Sequence, residues 1–333
     1  MLVLSQDDVV RLLPMSACID VMASTLATLA RGDALLPLRT VILIPNSNDA
    51  FAVMPAYIGS PKTMGAKIIT VWPNNHGTQF DSHQGAVLLF DGENGSLSAL
   101  LDATAVTTIR TAAVSAVATR LLAREDASRL TIIGSGVQAY AHLESMCAVR
   151  DIASLRVWSR NSEHARQLAA FARQKFQLDA DVSATGADAV RDAHIVCTTT
   201  SARTPVLEGE WLAPGTHINA IGASQRTARE VDSAAVVRSR LYVDRRESAL
   251  KEPGDLLVPL EDGDIGPDHI VAEIGELLIG RGEGRRTRDE ITLFKSLGLA
   301  VEDLASALYA YTEAKRAGIG VEVEVGGARH VEH

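Results

Sequence analysis

Aromatic side chains are scarce in this chain of 333 residues: Phe, Tyr and Trp together make up 4%. Recognition of bases by stacking on aromatic platforms is therefore not expected. Cations are also in the minority, 32 Lys and Arg against 41 Asp and Glu, for a net charge of −9. Neutralising a phosphate backbone needs clustered Lys and Arg, so nucleic acid is not an expected partner. A small anionic ligand stays open, because a few buried cations outweigh a distant acidic surface. Cysteines number three, Cys18, Cys147 and Cys197, far apart and in apolar neighbourhoods. They are expected as reduced, buried thiols and not as a disulfide framework. The nine histidines form no HxH, HExxH or Cys/His ladder, so no metal site is expected. No uninterrupted apolar run approaches about 18 residues, so no membrane span is expected. The opening MLVLSQDDVVRLL lacks a cationic region and is broken by Asp7 and Asp8, which argues against a secretory signal. A cytoplasmic location follows by elimination.

What is present is an ordinary core-forming composition, 47% hydrophobic, over a length that suggests two domains. Residues 5–31 have a helical pattern, with Ser5 as cap and a break at Pro14-Met15-Ser16. Then come short β-rich runs, TVILI, FAVMPAY, GAKIITVW, GAVLLFD and GSLSALLD, with turn signals at Asp91-Gly92 and Asn94-Gly95. They predict a meander with one face packed on helices. A helix of small residues is expected over about 103–123. From Arg129 onward strands and helices alternate: RLTIIGSG, LRVWSR, AHIVCTTT, THINAIGA and RLYVD are the strands. Short apolar strands separated by helices predict a doubly wound parallel sheet. An acidic, Gly-rich connection follows Asp255, then FKSLGLAVEDLASALYAYTEAKRAG as a final helix, then a frayed tail, GGARHVEH.

Residues 134–139, Gly-Ser-Gly-Val-Gln-Ala, form GxGxxA at a strand-to-helix junction. Gly134 permits the tight turn, Gly136 lets the backbone approach a pyrophosphate, and Ala139 packs the helix on its strand. The helix N-terminus then offers free N–H groups to phosphates, so a dinucleotide is expected. The next strand ends in Ser159-Arg160-Asn161, where an NAD site usually carries an acid for the ribose 2′-OH. A guanidinium there can grip a 2′-phosphate, so NADP(H) is favoured, with NAD(H) as the alternative. Three further cations stand in apolar or small-residue surroundings: Arg39 in LPLRTVILI, Lys67 in GAKIIT and Arg110 in TTIRTAAVSA. A charge held in a core needs an anion or a solvated cleft, and three such charges suggest a receptor for a carboxylate. Arg39 and Arg110 would clamp it, while Lys67 would hold it or move a proton. His83, in DSHQG, is a weaker candidate; Asp81, Glu230 and Asp232 carry no specific signal.

These segments closely resemble the ornithine cyclodeaminase/mu-crystallin family, in the pattern of its mu-crystallin (ketimine reductase) branch. The matching stretches are VMPAY at 53–57, SHQGAVLLFD at 82–91, IRTAAVSAVAT at 109–119 and GSGVQAYAH at 134–142. Others are GEWLAPGTHINAIGAS at 209–224, REVD at 229–232, LYVDRRESALKEPGD at 241–255 and FKSLGLAVED at 294–303. The resemblance implies a homodimer of α/β class: a Rossmann-type doubly wound parallel sheet over 122–299, plus a discontinuous α+β domain for substrate binding and dimerisation, 1–121 with 300–333. It implies NAD(P)(H) and a small anionic imino or amino acid as ligands. By position, Arg39, Lys67 and Arg110 match the family's carboxylate-binding set, with Lys67 and Arg110 in catalytic positions. The cofactor-contacting positions fall on Ser82, His83, Arg110, Thr111, Gly134, Gly136, Val137, Gln138, Ser159, Arg160, Asn161, Thr200, Ile221 and Leu297.

One departure bears on the reaction. Ornithine cyclodeaminases resemble GGDxxGKTE after the fourth strand, whereas this chain has GASQRTARE at 222–230. Ser224 stands where the Asp belongs and Ala228 where the Lys does, so a carboxylate base for ring closure is missing. The expected reaction is therefore NAD(P)H-dependent reduction of cyclic ketimine carboxylates, Δ1-pyrroline-2-carboxylate or Δ1-piperideine-2-carboxylate. An amino-acid dehydrogenase such as alanine dehydrogenase, an ammonia-releasing cyclodeaminase and a non-catalytic NADPH-binding protein are the alternatives.

Overall fold

The structure is a computed structural model describing residues 1–75 and 78–326. Of the frayed tail expected over 326–333, all but Gly326 lies outside the described residues. Two compact units emerge, Met1–Arg110 with the chain from Leu299 onward, and Thr111–Gly298. The first boundary thus falls inside the Ala103–Leu122 helix, not after it.

In the first unit, Ser5 caps the helix Gln6–Leu12 reciprocally: its Oγ accepts from Asp8 N, and Asp8 Oδ2 accepts from Ser5 N at 3.0 Å. Pro14 begins a second helix, Met15–Arg31, which Gly32 ends in the left-handed region at φ 87°. The strands are β1 (Leu2–Leu4), β2 (Ala34–Leu35), β3 (Thr40–Leu43), β4 (Ala50–Gly59), β5 (Lys62–Val71), β6 (His83–Asp91) and β7 (Leu97–Asp102). Antiparallel neighbours β4 to β7 form the expected meander. The strand β1, absent from the expectation, adds parallel to β7 and carries the short strand Val321–Glu322 on its other edge. Burial alternates strictly along β4, as period 2 requires. Its inward residues, Ala52, Met54 and Ala56, lie in the core with Val87 and Leu89 of β6. The helix Ala300–Ala317 packs on this inner face. Gly65 allows the close approach: a methyl group there would lie 2.7 Å from Leu304 Cδ1. The opposite face is also apolar but less covered, with Phe51, Val53, Pro55 and Tyr57 half-buried. Beside it β3 exposes Ile42 at 56% and Leu43 at 71%.

The second unit holds β8 (Arg129–Ile133), β9 (Ser154–Trp158), β10 (Asp179–Val182), β11 (Ile195–Thr198), β12 (His217–Ala220), β13 (Ser239–Val243), β14 (Ile270–Glu273) and β15 (Ile291–Lys295). Their spatial order is β10-β9-β8-β11-β12-β15-β13-β14, and each of these pairings is parallel. The order reverses between β8 and β11, the switch point at which such sheets open a crevice. Strands β10, β14 and β15 were not expected. The segment after Asp255 is no loose connection: it contributes the helix Gly254–Glu261, β14 and β15. Phe294 and Lys295 end β15 instead of beginning the last helix. Gly298, at φ +77°, separates strand from helix, and Glu302 Oε2 accepts Leu299 N at 3.1 Å to start the helix at Ala300. Cys18 and Cys197 are buried and Cys147 only half-buried, so the expectation of three buried thiols holds for two.

Candidate active site

Lys67 sits mid-strand on β5, opposite Met54 of β4 and Val87 of β6, and points with them into the inner face. It is 3% exposed, and Arg110, in the Ala103–Leu122 helix, is 4% exposed. One carboxylate joins them. Asp303 Oδ2 lies 2.7 Å from Lys67 Nζ, and Asp303 Oδ1 accepts Arg110 Nε at 2.8 Å. Arg110 Nη1 also donates to Glu302 Oε2 at 2.9 Å, and Lys67 Nζ donates to Thr107 Oγ1 at 3.4 Å. Both acids lie in the first turn of the Ala300–Ala317 helix, where the helix dipole favours negative charge. Arg39 is half-buried ahead of β3, and its charge reaches Lys67. Two of the cations that the sequence left in search of anions thus find them inside the protein: Lys67 and Arg110 meet Asp303 and Glu302.

Burial pushes the Lys67 ammonium down to about 8; Asp303 opposes this, while Arg110 and Arg39 add to it. A lysine of that acidity exchanges its proton close to neutrality. Burial raises the Asp303 carboxyl, but Arg110 and Lys67 outweigh that and hold it below the usual carboxylate range.

In the second unit, the turn after β8 has Gly134 at φ +124°, and a methyl group there would come within 2.6 Å of Thr199 Oγ1. Around Gly136 there is open space, and Gly136 caps the Val137–Val149 helix without a side-chain bond, so that the main-chain N–H groups of Val137 and Gln138 at its start have no side-chain cap. Val137 is exposed, Gln138 half-buried and Ala139 fully buried against the strand. This donor set fits a pyrophosphate. At the end of β9, Ser159 Oγ lies 2.8 Å from Ser135 Oγ, tying the two strand ends together. Asn161 Oδ1 caps the Ser162–Phe176 helix by accepting Glu163 N and His164 N, and Arg160 is exposed beside it. The remaining predicted positions in this unit lie at strand ends: Thr200 after β11, Ile221 after β12 and Leu297 after β15. Thr111 is buried in the long helix. In the first unit, Ser82 Oγ and His83 Nδ1 are 3.1 Å apart, and His83 O accepts Thr104 Oγ1 at 2.9 Å.

Four carboxylates that organise these places carried no sequence signal of their own. Glu302 and Asp303 resemble ordinary first-turn acids, and only the cations at Lys67 and Arg110 hint at partners. Asp244 accepts Leu297 N at 2.5 Å and Gly298 N at 2.8 Å, and Glu230 holds Thr200 and Gly222.

The sequence profile of the ornithine cyclodeaminase/mu-crystallin family matches residues 1–318. The chain belongs to that family. The ketimine reductase mu-crystallin of Mus musculus is 41% identical over 280 residues, 84% of this chain and 85% of that one. The structure of Thermococcus litoralis Delta(1)-pyrroline-2-carboxylate reductase in complex with NADH and L-proline superposes with a TM-score of 0.95 at 37% identity, covering 97% of this chain and 100% of that one. An archaeal alanine dehydrogenase dimer with bound NAD gives 0.92 at 30% identity, over 98% and 99% of the two chains. In this member of the ornithine cyclodeaminase/mu-crystallin family, Ser224 is half-buried in the loop after β12.

Lys67 also links the site to stability. Its ammonium falls from 10.5 in the unfolded chain to about 8 in the fold, so between those values the unfolded state binds more protons. Stability conferred by this position therefore rises with pH across that window, by roughly 3 kcal/mol in all. Urea unfolding of wild type and Lys67→Met across pH 7.5 to about 10.5 is expected to show the wild type gaining relative to the variant. Parallel pH profiles would contradict a buried Lys67.

Proposed function

We propose that this chain is an NAD(P)H-dependent oxidoreductase that reduces the C=N bond of cyclic ketimine carboxylates, yielding L-proline from Δ1-pyrroline-2-carboxylate and L-pipecolate from Δ1-piperideine-2-carboxylate. The observation that carries this reading is the buried Lys67–Asp303–Arg110 arrangement, a proton-bearing group and a guanidinium held by one acid. A ketimine carboxylate needs those two things, a cation for its carboxylate and a proton for its nitrogen. The relatives named for ketimine and pyrroline-2-carboxylate reduction support it.

Arg39 and Arg110 bind the substrate carboxylate and so fix the imine, and orientation of this kind supplies several kcal/mol of the barrier reduction. Lys67 Nζ holds the proton for the imine nitrogen; protonated, the imine carbon is more electrophilic. Asp303 positions both cations. The reduced nicotinamide, when bound, supplies the hydride. Gly134, Gly136, Val137 and Gln138 hold its pyrophosphate, and Ser159, Arg160 and Asn161 take the adenosine ribose. Arg160 favours NADP(H) over NAD(H), since no carboxylate stands at the end of β9 to repel a 2′-phosphate.

A second reading, an amino-acid dehydrogenase that takes an open-chain 2-oxo acid with ammonia, is supported by the likeness to the alanine dehydrogenase. The cyclodeaminase reading is disfavoured by Ser224, which has no carboxylate to offer as a base. The working form is proposed as a homodimer, in which a second copy covers the apolar outer face around Phe51, Tyr57, Ile42 and Leu43. One solved relative is described as a dimer.

Purified protein is expected to oxidise NADPH with equilibrated Δ1-pyrroline-2-carboxylate in the absence of ammonia. A strict ammonia requirement with pyruvate would favour the dehydrogenase. Ammonia release from ornithine without net change in nicotinamide absorbance would sink the reductase. In the same assay Arg160→Asp is expected to shift the NADPH-over-NADH ratio of kcat/KM by about tenfold or more toward NADH, and an unaltered ratio would remove Arg160 from cofactor choice. Light scattering is expected to give a dimeric mass that Leu43→Glu lowers to that of a monomer; a monomeric wild type would refute the pairing.

A further inference from the structure

Glu230 belongs to neither the glycine-rich turn nor the cation set, yet its side chain is completely buried. Each of its oxygens accepts one main-chain N–H and one hydroxyl. Oε1 takes Thr200 N at 2.6 Å and Thr200 Oγ1 at 2.7 Å, while Oε2 takes Gly222 N at 2.5 Å and Thr198 Oγ1 at 2.8 Å. The carboxylate thereby joins the loop after β11 to the loop after β12. These loops touch: a methyl group on Gly222 would lie 1.9 Å from Thr200 O and 2.7 Å from Glu230 Oε1. Behind Glu230, Asp255 Oδ1 accepts Glu230 N at 2.7 Å and Val231 N at 3.1 Å, and Asp255 Oδ2 pairs with the buried Lys295 Nζ at 2.9 Å.

Burying a carboxylate is costly unless its acceptors are fully used. Here they are used on main chain at two strand ends. In a doubly wound dinucleotide sheet the turn after the first strand serves the adenosine half, and the loops after the fourth and fifth strands belong to the second mononucleotide half. Strands β11 and β12 occupy those places, beside β8 at the reversal of strand order.

We propose that Glu230 is the positioning residue for the nicotinamide half of the cofactor, acting through the main chain at Thr200 and Ile221–Gly222 and not by contact with the ligand. The proposal rests on the dinucleotide reading above. Its test compares NADH with ADP-ribose, which shares the adenosine and pyrophosphate but lacks nicotinamide. In Glu230→Gln the amide nitrogen faces donors in place of an acceptor. Calorimetric titration is expected to show NADH binding weakened by about tenfold or more, with ADP-ribose affinity kept within about twofold. In turnover kcat should fall while KM for the ketimine changes little. Glu230→Asp, which keeps the charge one methylene short, is expected to recover part of the NADH to ADP-ribose ratio, and it carries the same test if the Gln variant does not fold. Equal weakening of both ligands, or an unchanged ratio, would overturn the proposal. Failure of the dinucleotide reading is told apart because it shows in the wild type, as absence of binding by NADH, NADPH and ADP-ribose alike.

Discussion

One carboxylate, Asp303, holds the two cations on which the proposed chemistry turns. It reaches Lys67 with one oxygen and Arg110 with the other, in a setting where none of the three is appreciably exposed. Removing one partner of such a buried arrangement costs about 3–5 kcal/mol, because the remaining charge is stranded. Three elements must therefore agree: β5 must aim position 67 inward, the Ala103–Leu122 helix must present position 110, and the last helix must begin at Ala300. The pleat, the helical period and the glycine at 298 deliver these in turn. A lysine held this way is neither a surface charge nor a fixed ion. Its acidity of about 8 lets it carry a proton near neutrality and still give it up.

The second unit solves a different problem by the same means. Parallel strands end in loops, and loops carry main-chain groups that need partners. Buried acids supply them: Asp244 takes the N–H groups after β15, Glu230 those after β11 and β12, and Asp255 those of Glu230 and its neighbour. Lys295, the last residue of β15, compensates the charge on Asp255. A sheet whose strand ends are fixed in this manner offers a rigid rim, and rigidity is what a cofactor-holding site requires.

Much of this was legible in the residues. A short β-rich run, FAVMPAY, marked β4 as a strand, and Gly134-Ser-Gly at a strand-to-helix junction marked the dinucleotide turn. Lys67 and Arg110 stood out because charge among small apolar residues needs an explanation. Their partners did not stand out, since acids in a first helical turn are common on surfaces and nothing local distinguishes Glu302 and Asp303 from those. Phe294-Lys295 merged with the following helix because an apolar run with one lysine suits either period, and the dividing cue, Gly298, is a single residue. Glu230 was invisible for a related reason: its partners lie on β11 and after β12, and only the sheet order brings them to it.

The central claim, that Asp303 holds Lys67 as the near-neutral proton holder of ketimine reduction, is tested most directly by the pH dependence of kcat/KM. Wild type is expected to lose rate above a pH of about 8, as Lys67 gives up its proton. In Asp303→Asn the anion that favours the charged lysine is gone, so the limb should move to lower pH; a limb arising from the substrate itself would stay in place. An alkaline limb at the same pH in both proteins, or none in the wild type, would contradict the account.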